Sequence, residues 1–280
     1  MIDTGTLFVV ATPIGNLDDI SKRAVDVLDS VDFIAAEDTR VTKILLGRIN
    51  SSTATKSYHD FSETGADERM IQSIINGKSV ALVSDAGTPL ISDPGYKLVQ
   101  LARKKNITVI PVPGASSVTA ALSVSGLPTD RFLFDGFIPS KIIAKTKYFQ
   151  TLLYENRTTV VFESTHRIVN SLVILAEMFP EARRVFIARE ISKKFESHFL
   201  GSVIEGLNWL NSNSHNTKGE FVLVIEGCNA SIIEARQHQT GLLIIDKLKN
   251  TMSTKDAVRI ASEITGAKKN ALYEAILAQS

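Results

Sequence analysis

Two aspartates stand in a polar loop that directly follows a buried strand. The apolar run Val80–Val83 is typical of a strand covered on both faces of a parallel sheet. The loop after it reads S-D-A-G-T-P-L-I-S-D-P-G: Asp85 and Asp93 supply carboxylates, the prolines stiffen the backbone, and Gly87 permits close approach of a ligand. Open α/β sheets bind ligands outside the carboxyl ends of their strands. The pattern therefore favours a binding loop over an ordinary turn between strand and helix.

Polar or small residues also follow two other predicted strands. The run Phe33–Ala36 ends in E-D-T-R. This motif fits either a site at the strand end or a capped helix start with Arg40 in a surface ion pair, and the sequence leaves both open. The run 109–112 leads into P-G-A-S-S, whose small residues predict a close-packed ligand wall. Ser117 does not lie in G-x-S-x-G, so no nucleophile elbow is predicted.

Several motifs of well-defined chemistry do not occur in the sequence. The turn after the first predicted strand, T-P-I-G-N-L, contains one glycine, Gly15, and lacks the G-x-G-x-x-G dinucleotide fingerprint. The sequence also has no G-x-x-x-x-G-K-[ST] loop, no H-E-x-x-H and no C-x-x-C, and its histidines are not at metal-ligand spacing. We therefore expect no bound metal ion and no nucleoside-triphosphate hydrolysis.

Hydrophobic patterning divides the chain into three parts. Residues 1–117 alternate short apolar runs with helical periodicity and predict an α/β domain with five parallel strands. Residues 118–232 predict a second α/β domain with a mixed sheet, whose later strands follow one another without long crossover helices. Residues 233–280 predict a helical appendage in which Ser253 begins one helix and Gly266 ends it. The appendage fits a nucleic-acid contact or a plain helical cap.

The composition sets the broad class of protein. The chain has 280 residues, 44% hydrophobic and 22% charged, with a formal net charge of +1, so any basic surface must be local. Cys228 is the single cysteine, which excludes an intrachain disulfide and favours a reducing compartment. No apolar run approaches the ~20 residues that cross a bilayer, and no signal peptide is recognisable. We therefore expect a soluble, cytoplasmic protein.

Long motifs in a fixed order resemble one family. They are V-A-T-P-I-G-N-L-D-D-I, E-D-T-R, S-D-A-G-T-P-L-I-S-D-P-G, P-V-P-G-A-S-S, F-x-F-D-G-F-I-P-S-K and K-G-E-F-V-L-V. Together they resemble the tetrapyrrole-methylase superfamily and, within it, the branch that 2′-O-methylates a cytidine of small-subunit (16S) ribosomal RNA. One departure is Thr165, where the family usually has proline; the change loses some loop rigidity but no functional group.

The resemblance implies two α/β domains with S-adenosylmethionine bound in the cleft between them. It also implies a homodimer, and 16S rRNA or the small ribosomal subunit as partner. Carried over by position, the cofactor contacts are Pro13, Ile14, Gly15, Gly87, Thr88, Pro89, Ile91, Ser92, Asp93, Ala115 and Ser116. Backbone around Glu163 and the later strands of the second domain are expected to close the other side.

Methyl transfer from a sulfonium to a ribose hydroxyl is an in-line displacement. The enzyme must align the reacting atoms and accept the hydroxyl proton. The residues that we predict for catalysis are Asp85, Asp93, Glu163 and Lys218. His166, Glu190 and Lys193 are further candidates for the base. For each of them, a salt bridge or the fixing of a loop is the alternative role.

Basic side chains near the strand ends and in the appendage are candidates for RNA contacts. They are Arg40, Lys141, Arg167, Arg189, Lys193, Lys268 and Lys269. Contacts of this kind to phosphates make binding depend on salt. Two other functions remain open from the sequence: a tetrapyrrole-type small-molecule methyltransferase on the same fold, and a non-catalytic protein that binds a nucleoside or RNA.

Overall fold

The first domain contains a five-stranded parallel sheet. The computed structural model describes residues 5–58, 65–179 and 182–278. The strands of this sheet are β1 (Thr6–Val10), β2 (Phe33–Ala36), β3 (Thr55–Ser57), β4 (Val80–Val83) and β5 (Thr108–Val112). They pair in the order β3-β2-β4-β1-β5, and every pair is parallel. The predicted parallel α/β domain is confirmed.

Helices pack on both faces of this sheet and explain why β4 is apolar throughout. The helices of this part of the chain are α1 (Lys22–Ser30), α2 (Thr39–Arg48), α3 (Ala66–Ile75), α4 (Tyr96–Lys104) and α5 (Ser117–Val124). On β4, Leu82 packs in one core with Leu98 of α4, whereas Val83 packs in the other with Leu28 of α1. Because β4 lies between β2 and β1, the loops that follow these three strands meet at one edge of the sheet.

The second domain is built on a mixed sheet. Its strands are β6 (Phe132–Phe137), β7 (Thr158–Ser164), β8 (Arg184–Arg189), β9 (Ser197–Ser202) and β10 (Glu220–Ile225), and its helices are α6 (Ile142–Leu152), α7 (Ile168–Met178) and α8 (Val203–Asn211). The strand order is β6-β7-β10-β8-β9, in which β6 and β7 are parallel and the other neighbours are antiparallel. The predicted mixed sheet is confirmed.

Helix α8 lies between the last two strands, where no helix was predicted. Its start is a capping box: the Ser202 hydroxyl accepts a hydrogen bond from the Glu205 amide, and the Glu205 carboxylate accepts one from the Ser202 amide. Val203 and Leu210 of α8 are buried in the core that the sheet forms with α6 and α7. The S-x-x-E signal for this helix stands in the sequence, but the flanking strands obscured it.

Helix α5 packs on the second sheet although it follows the last strand of the first. Val118 and Leu122 of α5 form a core with Val160 of β7 and Val224 of β10. The opposite face of the second sheet is covered by α6, α7 and α8. The face that carries α5 is therefore the one turned towards the first domain. The domain boundaries after residues 117 and 232 stay predictions.

The C-terminal part of the described chain is helical, as expected. It consists of α9 (Ala230–Leu248), α10 (Thr254–Thr265) and α11 (Lys269–Leu277). The Ser253 side chain caps α10, and Gly266 ends it with a φ of +76°. Ile245, Ala261 and Leu272 belong to a small core that joins the three helices. Within the described ranges, no helix is both long and apolar enough to span a membrane.

Candidate cofactor cleft and active site

A cavity of about 350 Å³ lies between the two domains. Its first-domain side is formed by the segments after β1, β4 and β5, and its second-domain side by the ends of β6, β7, β8 and β10 and by residues that follow them. The apolar part of the lining consists of Ile14, Ala86, Ile91, Val118, Phe137, Phe162, Ala188, Ile191, Phe221 and Val222. A concave, mostly apolar space of this size with a few polar groups is typical of a small-molecule site.

The loop after β4 is held in a defined conformation against the cavity. Thr12 and Gly87 pair as a short antiparallel bridge, with N···O distances of 2.8 and 3.0 Å. The Thr88 hydroxyl donates to the Ala115 carbonyl at 3.2 Å, which ties this loop to the one after β5. Ser92 has a φ of +65°, a conformation that a residue with a side chain adopts only where its surroundings enforce it. The loop is therefore preorganised rather than free to adapt.

Asp93 lines the cavity and binds its proton unusually tightly. Burial raises the pKa of the Asp93 carboxyl from 3.8 to about 6. The carboxylates of Glu37 and Asp85 add to this increase by repulsion, whereas a hydrogen bond from the Ser84 hydroxyl opposes it. A carboxylate whose pKa is close to neutral pH is suited to accept a proton during a reaction. Among the predicted catalytic residues, Asp93 combines a place in the cavity lining with a raised pKa, and its role as a general base stays a prediction.

The E-D-T-R motif begins α2 and also contacts the loop after β4. Asp38 caps the helix by accepting from the Arg40 amide at 2.8 Å, and the Arg40 guanidinium lies 2.6 Å from the Asp38 carboxylate. Hydrogen bonds from Arg40 lower the pKa of Asp38 to about 2. The Asp38 amide in turn donates to Asp85 Oδ1 at 2.9 Å. The predicted helix cap and the predicted ion pair of Arg40 are confirmed. Because Asp38 also contacts Asp85, this helix start lies next to the site.

Glu163, the third predicted catalytic carboxylate, is in a different environment. Glu163 belongs to the cavity lining, but its side chain is buried and its partners lie on the face of the second sheet that carries α6 and α7. Its oxygens lie 2.8 Å from the Arg167 guanidinium, 2.5 Å from the Ser171 hydroxyl and 3.7 Å from the ammonium of Lys145, which is 1% exposed. A carboxylate with these partners anchors the end of β7. We infer a positioning role for Glu163 in place of the predicted catalytic one.

The loop after β7 is tethered to the residue before β10. The Thr165 hydroxyl donates to the Gly219 carbonyl at 2.5 Å and accepts from the Gly219 amide at 2.9 Å. Gly219 has a φ of +103°, and a Cβ there would come within 2.5 Å of the Glu190 side chain. The sequence predicted that the departure from proline at position 165 loosens this loop. The structure corrects this expectation, because the threonine hydroxyl makes two hydrogen bonds that proline cannot make.

Two cationic residues predicted to be functional are placed differently by the structure. Arg189 is buried, and its guanidinium donates to the carbonyls of Lys218 at 2.6 Å and Phe195 at 2.8 Å. Because its charge is covered and engaged with the protein, the prediction that Arg189 contacts RNA is withdrawn. Lys218 is exposed and lies outside the cavity lining, so its geometry does not favour the predicted catalytic role.

Contacts between the domains close one edge of the cleft. The Ser192 hydroxyl donates to the Asp19 carboxylate of the first domain. Lys193 lies against Gly15, where a Cβ would stand 2.4 Å from its Cγ. The Lys193 ammonium is 2.9 Å from the Glu220 carboxylate and forms a second ion pair with Glu190. Lys193 therefore has partners within the protein, and an RNA contact by it stays a prediction.

Comparison with protein families and with known proteins identifies relatives of the chain. The family model described as Tetrapyrrole (Corrin/Porphyrin) Methylases matches residues 6–205, and the one described as RsmI C-terminal HTH domain matches residues 244–280. The protein named Ribosomal RNA small subunit methyltransferase I of Pseudomonas aeruginosa is 43% identical over 276 residues, which cover 99% of this chain and 98% of that protein. Its namesake from Escherichia coli O157:H7 is 42% identical over 275 residues, covering 98% and 96%.

The chain belongs to the tetrapyrrole methylase family.

Solved structures of other tetrapyrrole methylase-like proteins share the fold. The uroporphyrin-III-C-methyltransferase from Thermus thermophilus has a TM-score of 0.57 at 19% identity, covering 79% of this chain and 94% of that one. A diphthine synthase has a TM-score of 0.60 at 16% identity, covering 79% and 90%. These likenesses confirm the predicted two-domain fold. Membership of the family and the full-length relatives make the protein an S-adenosylmethionine-dependent methyltransferase, as predicted.

The cleft fits S-adenosylmethionine, the cofactor of tetrapyrrole methylases. Its mostly apolar lining with a few polar groups would suit a molecule that combines an aromatic base with a charged end. Gly87 has a φ of +83°, and a Cβ there would stand 3.4 Å from Ile14 Cγ2 and 3.9 Å from the Ala115 carbonyl oxygen. Both distances are ordinary van der Waals contacts, so it is the positive φ of the turn that favours glycine at this position.

Most of the predicted cofactor residues lie at this cavity. Those that line it are Ile14, Gly87, Thr88, Ile91, Ser92, Asp93 and Ser116. Pro13, Gly15, Pro89 and Ala115 are outside the lining but belong to the same loops. The residue-level assignments stay predictions. Sequence reasoning did not single out the aromatic wall of Phe137 and Phe162, because aromatic residues in strands have the same pattern as an ordinary core.

The remaining predicted RNA contacts are spread around the cleft and the appendage. Arg40, Lys141, Lys268 and Lys269 are exposed. Arg167 is partly buried and pairs with Glu163, which leaves it less available. Residues 5–58, 65–179 and 182–278 contain no group of three or more His, Cys, Asp or Glu side chains that could hold a metal ion.

Proposed function

We propose that the protein transfers the methyl group of S-adenosylmethionine to the 2′-hydroxyl of a cytidine in 16S ribosomal RNA. The observation that carries this proposal is the identity of 42–43%, over nearly the whole chain, to proteins named Ribosomal RNA small subunit methyltransferase I. The cleft adds Asp93, a carboxylate with a raised pKa on a preorganised loop. The motifs around the cleft, S-D-A-G-T-P-L-I-S-D-P-G above all, support the RNA-modifying branch of the family.

The residues of the cleft have two tasks in this reaction. S-adenosylmethionine, when bound, supplies a methyl group on a sulfonium that a nucleophile can attack. The loop after β4, held by the Thr12–Gly87 bridge and by Thr88, fixes the geometry of the pocket, which is the larger contribution to an in-line displacement. Asp93 is mostly ionised at neutral pH and accepts the proton that the ribose hydroxyl loses. The Ser84 side chain favours the ionised form of Asp93, since it lowers the pKa of this carboxyl.

The experiment is transfer of labelled methyl to small ribosomal subunits from cells that lack this protein, followed by mapping of the labelled nucleotide. We expect label on the 2′-oxygen of one cytidine. Label on a different atom or base would correct the acceptor. Protein that binds the cofactor but labels neither subunits nor naked 16S RNA would contradict the proposal, and tetrapyrrole-type acceptors would be tested next.

We propose that the exposed lysines of the appendage contact RNA phosphates. Lys268 and Lys269 stand at the start of α11, in the segment that matches the HTH family model. Replacing both by alanine is expected to raise the KM for RNA several-fold. It should also make the negative slope of log K for RNA binding against log salt concentration shallower by about 1.5, because each phosphate contact contributes ~0.7–0.9. The matched control is Lys105→Ala, an exposed lysine just after α4. Equal slopes for both variants would contradict the contact.

We also propose that the protein is a homodimer and works in the cytoplasm, where ribosomal subunits are assembled. Large apolar side chains are exposed on the second domain: Ile143 is 84% exposed and Phe195 is 67% exposed. Covering side chains of this kind stabilises an association. Sedimentation equilibrium is expected to return twice the chain mass of 30.6 kDa. A monomer mass at micromolar concentration would contradict the dimer.

A further inference from the structure

A second, smaller cavity lies next to the cofactor cleft and has no role in the site described above. Its volume is about 90 Å³, and it opens between the turn after β1 and the first half of α2. We name it the α2 pocket. Its lining includes the aliphatic side chains of Leu17, Val41 and Ile44 and the polar residues Ser84 and Asp85. The three aliphatic side chains are 36%, 39% and 66% exposed, so this pocket presents apolar surface to solvent.

The α2 pocket and the cofactor cleft share one thin wall. Thr12 and Ser84 line the pocket, whereas Gly87 lines the cleft, and the backbones of Thr12 and Gly87 are hydrogen-bonded to each other. The Thr12 hydroxyl also donates to the Ser84 carbonyl at 3.2 Å. The Ser84 hydroxyl donates to the carbonyl of Ala86, a residue of the cleft lining, at 3.4 Å, and the Ser84 side chain also lowers the pKa of Asp93. A nucleotide whose ribose hydroxyl lies at Asp93 therefore has the α2 pocket directly beside it.

The charged group among the described residues that line the α2 pocket is the Asp85 carboxylate, a hydrogen-bond acceptor. Asp85 Oδ1 accepts from the Asp38 amide, and no described residue donates to its other oxygen. Asp38 is neutralised by Arg40, whereas Asp85 forms no ion pair with a described residue. An exposed carboxylate repels phosphate but accepts well from an amino group. Among the pyrimidines only cytosine carries one, at N4.

We propose that the α2 pocket holds the base of the acceptor nucleotide, with Asp85 accepting from the exocyclic amine of cytosine. This inference rests on the proposed function and deepens it, because it names the residues that select the base. Leu17 and Ile44 cover the faces of the ring, as apolar side chains do when an enzyme receives a base out of its stack. Asp85, predicted from the sequence as catalytic, is in this view a specificity residue, and Asp93 is the base.

The test compares cytidine with uridine at the methylated position. Small subunits are reconstituted with 16S RNA carrying either base there, and kcat/KM is measured for the wild-type protein and for Asp85→Asn. The wild-type protein is expected to prefer cytidine by at least about tenfold, the discrimination of one hydrogen bond to a charged acceptor. An asparagine amide can donate to the O4 of uracil, so Asp85→Asn should bring the ratio close to one. An unchanged ratio would overturn the inference.

A second variant separates base binding from cofactor binding. Ile44→Ala is expected to raise the KM for RNA about fivefold by removing apolar contact, with kcat and the affinity for S-adenosylmethionine unchanged. The matched control is Ile204→Ala, an exposed isoleucine on α8 outside both cavities. Equal KM values for the two variants would overturn the pocket assignment alone. A wild-type protein that labels no RNA would overturn the proposed function as well.

Discussion

Asp93 and Glu163 are both carboxylates at the carboxyl ends of buried strands, one in each domain, yet their surroundings are opposite. Asp93 has no cationic partner among the described residues, faces two other carboxylates and has a pKa raised to about 6. Glu163 is 2% exposed and lies against Lys145, Arg167 and Ser171. A carboxylate that must gain and lose a proton lacks cations around it, whereas one that holds a loop in place is surrounded by donors.

The largest expected effect tests the proposed role of Asp93 as the proton acceptor. Asp93→Asn removes the proton acceptor and should lower kcat by ~10²–10⁴-fold, a larger effect than any change in cofactor affinity. In the wild-type protein, kcat/KM should rise with pH through a midpoint near 6, as the carboxylate ionises. The residual activity of the variant should lack that step. Asp29→Asn, at an exposed position on α1, is the control and is expected to behave as wild type. A variant with normal kcat would show that alignment alone drives the reaction.

The next largest effect tests the inferred role of Glu163 as an anchor for the end of β7. Glu163→Gln leaves the buried Lys145 without its charged partner and should lower the free energy of unfolding by about 3–5 kcal/mol, measured by urea denaturation. The double variant Glu163→Gln with Lys145→Met should recover most of this loss, because the buried charge is then gone. Strictly additive losses would mean that the pair is not coupled. A variant of normal stability and no activity would instead favour a catalytic Glu163.

The raised pKa of Asp93 also makes a prediction for stability. The folded-state pKa of about 6 lies above the ordinary value of 3.8, so the folded protein binds this proton more tightly than the unfolded chain. The corresponding stabilisation is present below about pH 4 and is lost as the pH rises through 6. Asp93→Asn should therefore be more stable than wild type at pH 8, by about 1–2 kcal/mol, and equal to it at pH 4. If the difference in unfolding free energy between the variant and the wild type were the same at pH 8 and pH 4, the raised pKa of Asp93 would be contradicted.

The smallest effect concerns the tether beside Glu163. Thr165→Val removes the two hydrogen bonds to Gly219 and keeps the shape of the side chain. We expect a loss of about 1–2 kcal/mol in the free energy of unfolding and a several-fold weaker affinity for S-adenosylmethionine, because residues 164–166 line the cleft. Thr165→Ser, which keeps the hydroxyl, is the control and should restore the affinity. Identical affinities for both variants would show that the tether does not shape the cleft.

Much of the fold was predictable because its signals are local. The run Val80–Val83 and the loop after it identify a central strand and its ligand edge from residues that are adjacent in the chain. The capped start of α2 at Asp38 and the end of α10 at Gly266 are likewise local. Helix α8 was missed although Ser202 and Glu205 form its capping box, since a short apolar segment between two strands does not distinguish helix from strand.

The sequence by itself determined the family, the parallel and mixed sheets, and most of the loops that line the cleft. Only the tertiary structure decided what each charged side chain does there. Glu163 meets Lys145 and Ser171, and Arg189 meets the carbonyl of Lys218, across distances in sequence that no spacing rule connects. The charge state and role of a side chain depend on burial and on partners brought together by folding. That is why one predicted carboxylate is suited to be a base and another anchors a loop.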